Sequence, residues 1–507
     1  MRYNMRKLIC FVLVFTLTAL SCVPVFAASV TDYTIVNPYA DVDFDTWQGY
    51  KTQLHCHTTA SDAYQTIHEA LEDYYDLDYD VVAITDHGTT NEAWNIAPQT
   101  IPIMRALRKE RTGGNETPIV PLTNDEYAAY VSGTKESDTR THENGMLDVY
   151  GGNELNMATP FADCHLTCYW CDYGQGYAGV FGDYETPVSQ VNAAGGVTML
   201  AHVGEYVYID KDSEDHAGQP VDEYYVNKFA RIFLDNAGSC VGMGINSATD
   251  AHTRCDRILY DSILQKTIPN GVTPWAFCFS DSHSATSIND AYCICYMPEN
   301  TNEALRNCMT NGQLFAVSHY SNGIELNGME EMQGYKDSDA KFDDESYWSS
   351  NATPLVTKVE VDEENDVIRV WGENFNSITW VSSGDVILRE NNITDGYAEL
   401  DLHSDDLLED PYMYVRFYIT GDYGICYSQP FTIYRDGETF EAVEVPETHD
   451  ISTFLRKLVT VLDWLIFKFC PVVWAFKYFA MGYDPIEQLG DSLTQLVDSG
   501  FTNWYTP

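Results

Sequence analysis

Four short strand-like runs in this chain each stop at a histidine or an aspartate. Tyr50 to Leu54 leads into His55-Cys56-His57, Val81 to Thr85 into Asp86-His87, Val197 to Ala201 into His202, and Trp275 to Ser280 into Asp281-Ser282-His283. Runs of this length read as buried strands, and strands that alternate with helical patterns read as parallel βα units. In such units the functional groups gather beyond the carboxyl ends of the strands, so one rim can collect all of these side chains.

With Asp62, Glu154 and His165 the candidate metal ligands are His55, His57, Asp62, His87, Glu154, His165, His202, Asp281 and His283. A lone His-x-His, an Asp-His or an Asp-x-His after a strand is an ordinary occurrence. The combination stands apart from chance because most of the 13 histidines precede residue 325 and the strand-end ones share one context. Imidazole and carboxylate together suit borderline divalent ions such as Zn, Mn or Fe, and so many protein ligands exceed what one ion takes. Two or three metals are expected. Asp86 reads either as a group that orients a ligand or as a loop cap. His68 falls in the capping-box pattern Thr66-Ile67-His68-Glu69 and reads as a solvated helix residue. His142, His216, His252, His319, His403 and His449 read likewise as lying outside the site.

The motifs His55-Cys-His57-Thr-Thr-Ala-Ser-Asp62, Ile84-Thr-Asp-His87, Glu154 followed by His165, Ala201-His202 and Phe279-Ser-Asp281-Ser-His283 together resemble the PHP (polymerase and histidinol phosphatase) superfamily of metal-dependent hydrolases. The resemblance runs from about residue 45 to 322, and the segment Arg306 to Ala316 resembles the closing helix and strand of exported members. The flanks Gly152-Asn-Glu-Leu and Asp163-Cys-His-Leu are less characteristic. The resemblance implies a distorted (β/α)7 barrel with a trinuclear centre. His55, His57, Glu154 and Asp281 would hold one metal, Glu154, His165 and His202 a second, and Asp62, His87 and His283 a third. Glu154, His202 and Asp281 are then the candidate catalytic residues, and a hydroxide held between two cations would be the nucleophile. Exported relatives include ester and carbamate hydrolases. A phosphoesterase acting on small phosphorylated substrates is the first expectation, with ester or carbamate hydrolysis at the same centre, or a non-catalytic surface-binding protein, as the alternatives. Arg254 and Arg257 are candidate substrate-binding residues, a salt bridge on a helix surface being the commoner outcome for such arginines.

Residues 1–27 have the form of a secretory signal peptide: Arg2, Arg6 and Lys7, an apolar stretch from Ile9 to Val25, and Val25-Phe26-Ala27 for cleavage. Bacterial export to a secreted or cell-surface location is the expectation. The formal charge of −48 disfavours a long nucleic acid, which relies on Lys and Arg at its phosphates. The acidity would equally follow from the composition common in exported proteins. A chain this long does not need disulfides to hold its core. Cys168-x-x-Cys171 reads as a pair or as plain burial ahead of a further metal site.

The expected fold is α/β: the barrel over residues 28–325, a linker or lid at 326–351, an all-β sandwich of seven short strands at 352–445, and a hydrophobic helical tail at 446–507. Within the tail, residues 452–483 are rich in Trp and Phe but interrupted by Asp463, Lys468, Pro471 and Lys477, which disfavours a spanning helix. An amphipathic segment lying in a membrane interface and packing on the barrel or on a second subunit are the alternatives.

Overall fold

The computed structural model describes residues 32–100, 119–156, 165–172, 184–205, 223–245, 255–319, 353–435 and 437–448, and in the last segment residues 458, 462, 465 and 468–473. The signal-peptide segment, the lid, most of the tail, and Cys164, His216, His252, Arg254 and His449 lie outside the described residues.

Each of the four runs contains a strand: Gln48–Gln53, Val81–Val82, Val197–Leu200 and Trp275–Phe277. The first is less apolar than a buried strand usually is, because Lys51, Thr52 and Gln53 are all buried. Their polar atoms are met inside the protein. Lys51 Nζ donates to the Leu77 carbonyl at 2.9 Å, and Gln53 Nε2 donates to Ser280 Oγ at 2.8 Å. Helix Ile67–Asp76 opens with the capping box read from the sequence: the Thr66 hydroxyl accepts from the Glu69 N–H, and the Glu69 carboxylate accepts from the Thr66 N–H. It buries Ile67, Ala70, Leu71, Tyr74 and Tyr75 and leaves His68 away from the core.

The strands around the candidate ligands fall into two sheets. In the first, Gln48–Gln53 pairs in parallel with Val81–Val82, which pairs in parallel with Leu147–Asp148. In the second, Trp275–Phe277, Cys240–Gly244 and Val197–Leu200 are parallel, while His165–Tyr169 and Asn153–Asn156 continue antiparallel. No closed barrel forms among the described residues. The isolated bridges Cys56 to Ser282 and His87 to Glu154 link the two sheets at the ends that carry the candidate ligands. The antiparallel turn has a simple cause. Only residues 157–164 join Asn156 to His165, and a parallel crossover needs a dozen or more.

The C-terminal region is rich in β-structure but is not a detached sandwich. Strand Gly424–Tyr427 pairs antiparallel with Leu314–Ser318, so the first sheet runs on into the C-terminal strands and reaches eleven members. An N-terminal strand, Tyr33–Val36, closes its far end against Phe431–Arg435. A separate three-stranded sheet, Leu355–Asp362, Val367–Glu373 and Tyr397–Asp401, makes the other layer. Strands Gly424–Tyr427 and Phe431–Arg435 are separated at Ser428-Gln429-Pro430, since proline has no N–H for a ladder. Gln429 instead turns inward, accepting from the Ala276 N–H at 2.8 Å and donating to the Ala276 carbonyl at 2.9 Å. Pairing also removes the open edge that Leu314–Ser318 would otherwise present.

A buried ion pair fastens the two regions. Arg416, on strand Met413–Gly421, donates from Nε to Asp261 Oδ1 at 2.9 Å, and the Tyr414 hydroxyl donates to the same carboxylate. Asp261 lies on helix Cys255–Thr267. Replacing Arg416 by Met leaves a buried carboxylate without its cation, and the expected loss is about 3–5 kcal/mol in a denaturant titration. The same titration followed by two probes, one in each region, should show one transition; two separable transitions would mean the C-terminal strands fold on their own.

Candidate metal centre

Glu154 is fully buried and sits among five histidines. Its Oε1 lies 2.7 Å from His165 Nδ1 and 3.4 Å from both His55 Nε2 and His202 Nε2, and its Oε2 lies 2.7 Å from His87 Nδ1 and 3.2 Å from His57 Nε2. Asp281 Oδ1 is 2.8 Å from His57 Nε2 and 3.2 Å from His55 Nε2, and its Oδ2 is 3.6 Å from His202 Nε2. Asp62 Oδ1 lies 3.4 Å from His283 Nε2 and 3.7 Å from His87 Nε2. The structure thus brings together all nine residues singled out in the sequence.

Three overlapping groups offer ligand atoms close enough for an ion: His55, His57, Glu154 and Asp281; His57, Asp62, His87 and His283; and His87, Glu154 and His165. The first is the set the resemblance implies. The other two are more interleaved than implied, since His57 also joins Asp62 and His283, and His87 stands with His165 on Glu154. His202 faces Glu154 and Asp281 together.

The backbone that aims these side chains is tightly constrained. His202 and Asp281, both just past strand ends, have positive φ values of 29° and 49°. Non-glycine residues hold that conformation only where the surroundings fix it, at a cost on the order of 1–3 kcal/mol each. Gly152, two residues before Glu154, packs its Cα against the strand end before His87. A Cβ there would come within 2.3 Å of the Ile84 carbonyl oxygen, so only glycine lets the two chains approach.

A set of polar residues that the sequence reading did not assign orients the ligands. Thr85 Oγ1 lies 2.7 Å from His55 Nδ1, leaving His55 Nε2 toward the carboxylates. The Gln53 amide oxygen accepts from the His55 N–H at 3.1 Å, and the Gln53 amide nitrogen donates to Ser280. Asp86 is fully buried; its carboxylate accepts from the Thr58 N–H, the Thr58 hydroxyl and the Ser61 hydroxyl, and Ser61 Oγ is 3.2 Å from His57 Nδ1. Asp86 is therefore both the loop cap and, through Ser61, the orienting partner of His57. Ser61 and Thr85 lie inside the motifs, and Gln53 stands out as a polar residue in a buried strand. Those signals were present in the sequence but carried no direction.

The electrostatics favour cations. Burial pushes the Glu154 carboxyl up, but the surrounding His87, His165 and His55 rings outweigh it and hold it well below the usual carboxylate range. Asp281 is held well below its usual range in the same way, against burial, by His55, His57 and His283. Burial lowers His55, and lowers His87 to about 3, so both rings are neutral and able to donate lone pairs. Burial also works against protonation of His57, but its hydrogen bond to Asp281 and the nearby Glu154 carboxylate raise it well above the ordinary value. The donor set fits divalent metal ions. His55 Nε2 and both Glu154 oxygens are buried and have no hydrogen-bond partner, despite the short distances around them. Buried charge of that kind is held in place by a cation. Among the nine residues the most exposed side chains are His283 at 36% and Asp281 at 19%.

Other candidates lie elsewhere. Arg257 is buried and donates to the Tyr427 hydroxyl at 3.1 Å, engaging a C-terminal strand. His142 pairs with Asp80, His403 with Asp366, and His319 is buried in the core. Cys168 and Cys171 are free, buried thiols in contact with each other, as are buried Cys293 and Cys295 on strand Ala291–Met297.

No protein-family model matches the chain, and no curated protein matches its sequence. Several solved structures are similar to parts of this chain. A two-domain protein from Bacteroides vulgatus, containing a predicted PHP-like metal-dependent phosphoesterase, is similar over 80% of this chain and 99% of its own, at 12% identity and a TM-score of 0.38. A protein from Bifidobacterium adolescentis described as a metal-dependent phosphoesterase is similar over 47% of this chain and 88% of its own, at 14% identity and a TM-score of 0.25. An amidohydrolase from Chromobacterium violaceum is similar over 46% of this chain and 87% of its own, at 14% identity and a TM-score of 0.24. All three TM-scores are low, and the chemistry is argued below from the site's own residues.

Substituting Ser61 by Ala or Asp86 by Asn should weaken divalent-metal binding by about tenfold to a hundredfold, the usual loss when an outer partner of a ligand is removed. Isothermal titration with Zn or Mn measures it; unchanged affinity in both would show that the Asp86–Ser61–His57 chain serves the loop alone. Chelator treatment should also lower the melting temperature, because a cation that binds only the folded state stabilises it.

Proposed function

We propose that this chain is an exported metal-dependent hydrolase of the PHP type, and that it is a phosphoesterase acting on small phosphorylated substrates. The observation that carries the reading is the charge balance of the cluster. Of its nine residues among those described, Asp62, Glu154 and Asp281 are carboxylates and the other six are imidazoles. Two or three divalent ions would exceed those carboxylates in charge, which suits an anionic substrate more than a neutral ester.

In this reading His55, His57, Glu154 and Asp281 hold one ion, His87, Glu154 and His165 a second, and His57, Asp62, His87 and His283 a third, with His202 completing the ligand set beside Glu154 and Asp281. Bound divalent ions supply Lewis acidity, which lowers the pKa of water and neutralises charge on a phosphoryl group. The chain's own residues do the rest. Glu154 and Asp281 stay anionic at neutral pH, Thr85 and Ser61 fix the faces that His55 and His57 present, and His283 and Asp281 mark the more exposed side of the cluster. The substrate enters from that side. Six strands, Gln48–Gln53, Val81–Val82, Asn153–Asn156, His165–Tyr169, Val197–Leu200 and Trp275–Phe277, carry or lead into the candidate ligands, which supports a distorted (β/α)7 barrel that is open among the described residues.

The chain without residues 1–27, supplied with Mn or Zn, should release nitrophenol from a phosphomonoester or a phosphodiester, and a chelator should abolish the release. His202→Ala and Asp281→Asn should each lower kcat by more than about a hundredfold, beyond the loss typical of an outer partner. Turnover of a carboxylic ester alone would move the activity to the ester or carbamate branch, and no turnover of any of the three would favour a binding protein.

A further inference from the structure

At the end of strand His165–Tyr169 that points away from the metal centre, two thiols meet at a bend in the chain. Leu166 pairs with Leu200 and Tyr169 with Val197, so the strand starts beside His202 and finishes beside Gly196. Cys168 is in the strand, and Cys171 lies two residues beyond its end. Had the strand run on, the two would face opposite sides of the sheet with Cα atoms about 10 Å apart, too far for a disulfide. The chain bends instead at Trp170, whose φ of 61° is in the left-handed region. An aromatic residue holds that conformation only where its surroundings fix it. Trp170 is fixed at three points. Its N–H donates to the Tyr150 carbonyl at 2.9 Å, its Nε1 donates to Asn302 Oδ1 at 2.8 Å, and the Arg306 guanidinium lies 5.8 Å from its ring centre.

Two glycines make room for the second cysteine. A Cβ on Gly196 would come within 2.6 Å of Cys171 Sγ, and one on Gly151 within 2.9 Å of the Cys171 nitrogen and carbonyl oxygen. The Cys171 sulfur is thereby seated beside Cys168, whose thiol donates a hydrogen bond to it. Cys168 is wholly buried, whereas Cys171 keeps 9% exposure and precedes exposed Asp172. The bond from Cys168 and the charge of Arg306 hold the Cys171 thiol below its ordinary range, against burial and the Asp172 carboxylate. The same bond and burial hold the Cys168 thiol well above that range. A buried cysteine outside such a pair behaves differently: burial pushes the Cys240 thiol up to about 12, which leaves it unreactive.

We propose that Cys168 and Cys171 are a redox-active dithiol that closes to a disulfide by exchange with a small-molecule disulfide, Cys171 attacking first and Cys168 resolving. The Cys171 thiolate attacks one sulfur of the oxidant and breaks its S–S bond. One half of the oxidant leaves as a thiolate, which takes up the proton that Cys171 lost. Cys168 then attacks Cys171 Sγ in the mixed disulfide, and its proton goes to the second departing half. The Cys168–Cys171 bond is formed, and the two electrons reside on the oxidant, now two thiols. The Trp170 bend already holds the reduced pair together, so closure needs little movement of the backbone. The pair stands at the opposite end of its strand from His165, and its chemistry does not depend on the hydrolase reading.

The test equilibrates the purified chain in mixtures of reduced and oxidised glutathione at fixed pH. The samples are quenched in acid, alkylated in denaturant and digested, and the peptide carrying Cys168 and Cys171 is followed by mass spectrometry. Both residues should lose their alkyl groups together as the mixture becomes oxidising and regain them as it becomes reducing, while Cys240 and Cys426 stay alkylated throughout. Cys168→Ser should trap glutathione on Cys171, and Cys171→Ser should trap about tenfold less on Cys168. Arg306→Ala should slow the first step at neutral pH, because the guanidinium favours the Cys171 thiolate. The glutathione titration itself needs no variant, so it decides the matter even where a variant fails to fold. A pair that stays alkylated in the most oxidising mixture, a bond that the most reducing mixture does not open, a disulfide from either residue to Cys164, or glutathione on Cys168 as readily as on Cys171 would each overturn the proposal.

Discussion

Three carboxylates, Asp62, Glu154 and Asp281, are placed among six imidazoles at the point where two sheets meet, and most of the structure around them exists to make that placement tolerable. Fully buried anions are costly unless a cation or a set of hydrogen bonds meets them. Here neither Glu154 oxygen has a hydrogen-bond partner, and the rings around it are close enough to share ions with it. The demand for cations is thus a property of the folded chain. It explains why the isolated bridges Cys56 to Ser282 and His87 to Glu154 occur at this rim and why His202 and Asp281 accept a left-handed backbone.

Around the cluster, rigidity comes from polar residues as much as from apolar packing. Thr85, Gln53, Ser61 and Asp86 each bind a ligand residue or its neighbour, and all are buried. A buried polar network of this kind specifies one arrangement because each member loses its partner if another moves. The C-terminal strands extend the same logic outward. They continue the sheet of Gln48–Gln53 through Ala291–Met297 and Leu314–Ser318, and Gln429 and Arg416 pin them to the strand and helix that precede Asp281. Their contribution to the centre is support: they brace Trp275–Phe277, the strand that leads to Asp281.

The residue types and their order along the chain determined the ligand set, since strand-end His and Asp residues can be recognised from short-range pattern alone, as can the capping box at Thr66 and seven C-terminal β-runs. Sequence could not determine which ligands share an ion. His57 and His87 are each flanked by candidates from distant strands, and their grouping with Asp62, His283 and His165 depends on distances set by how the two sheets meet. Nor could it show that a short link between Asn156 and His165 forces an antiparallel pair, that the C-terminal strands join the first sheet, or that Arg257 turns to Tyr427. Pattern is local and reports what a residue can do; pairing across hundreds of positions is decided by which edges and buried charges need one another in the folded chain.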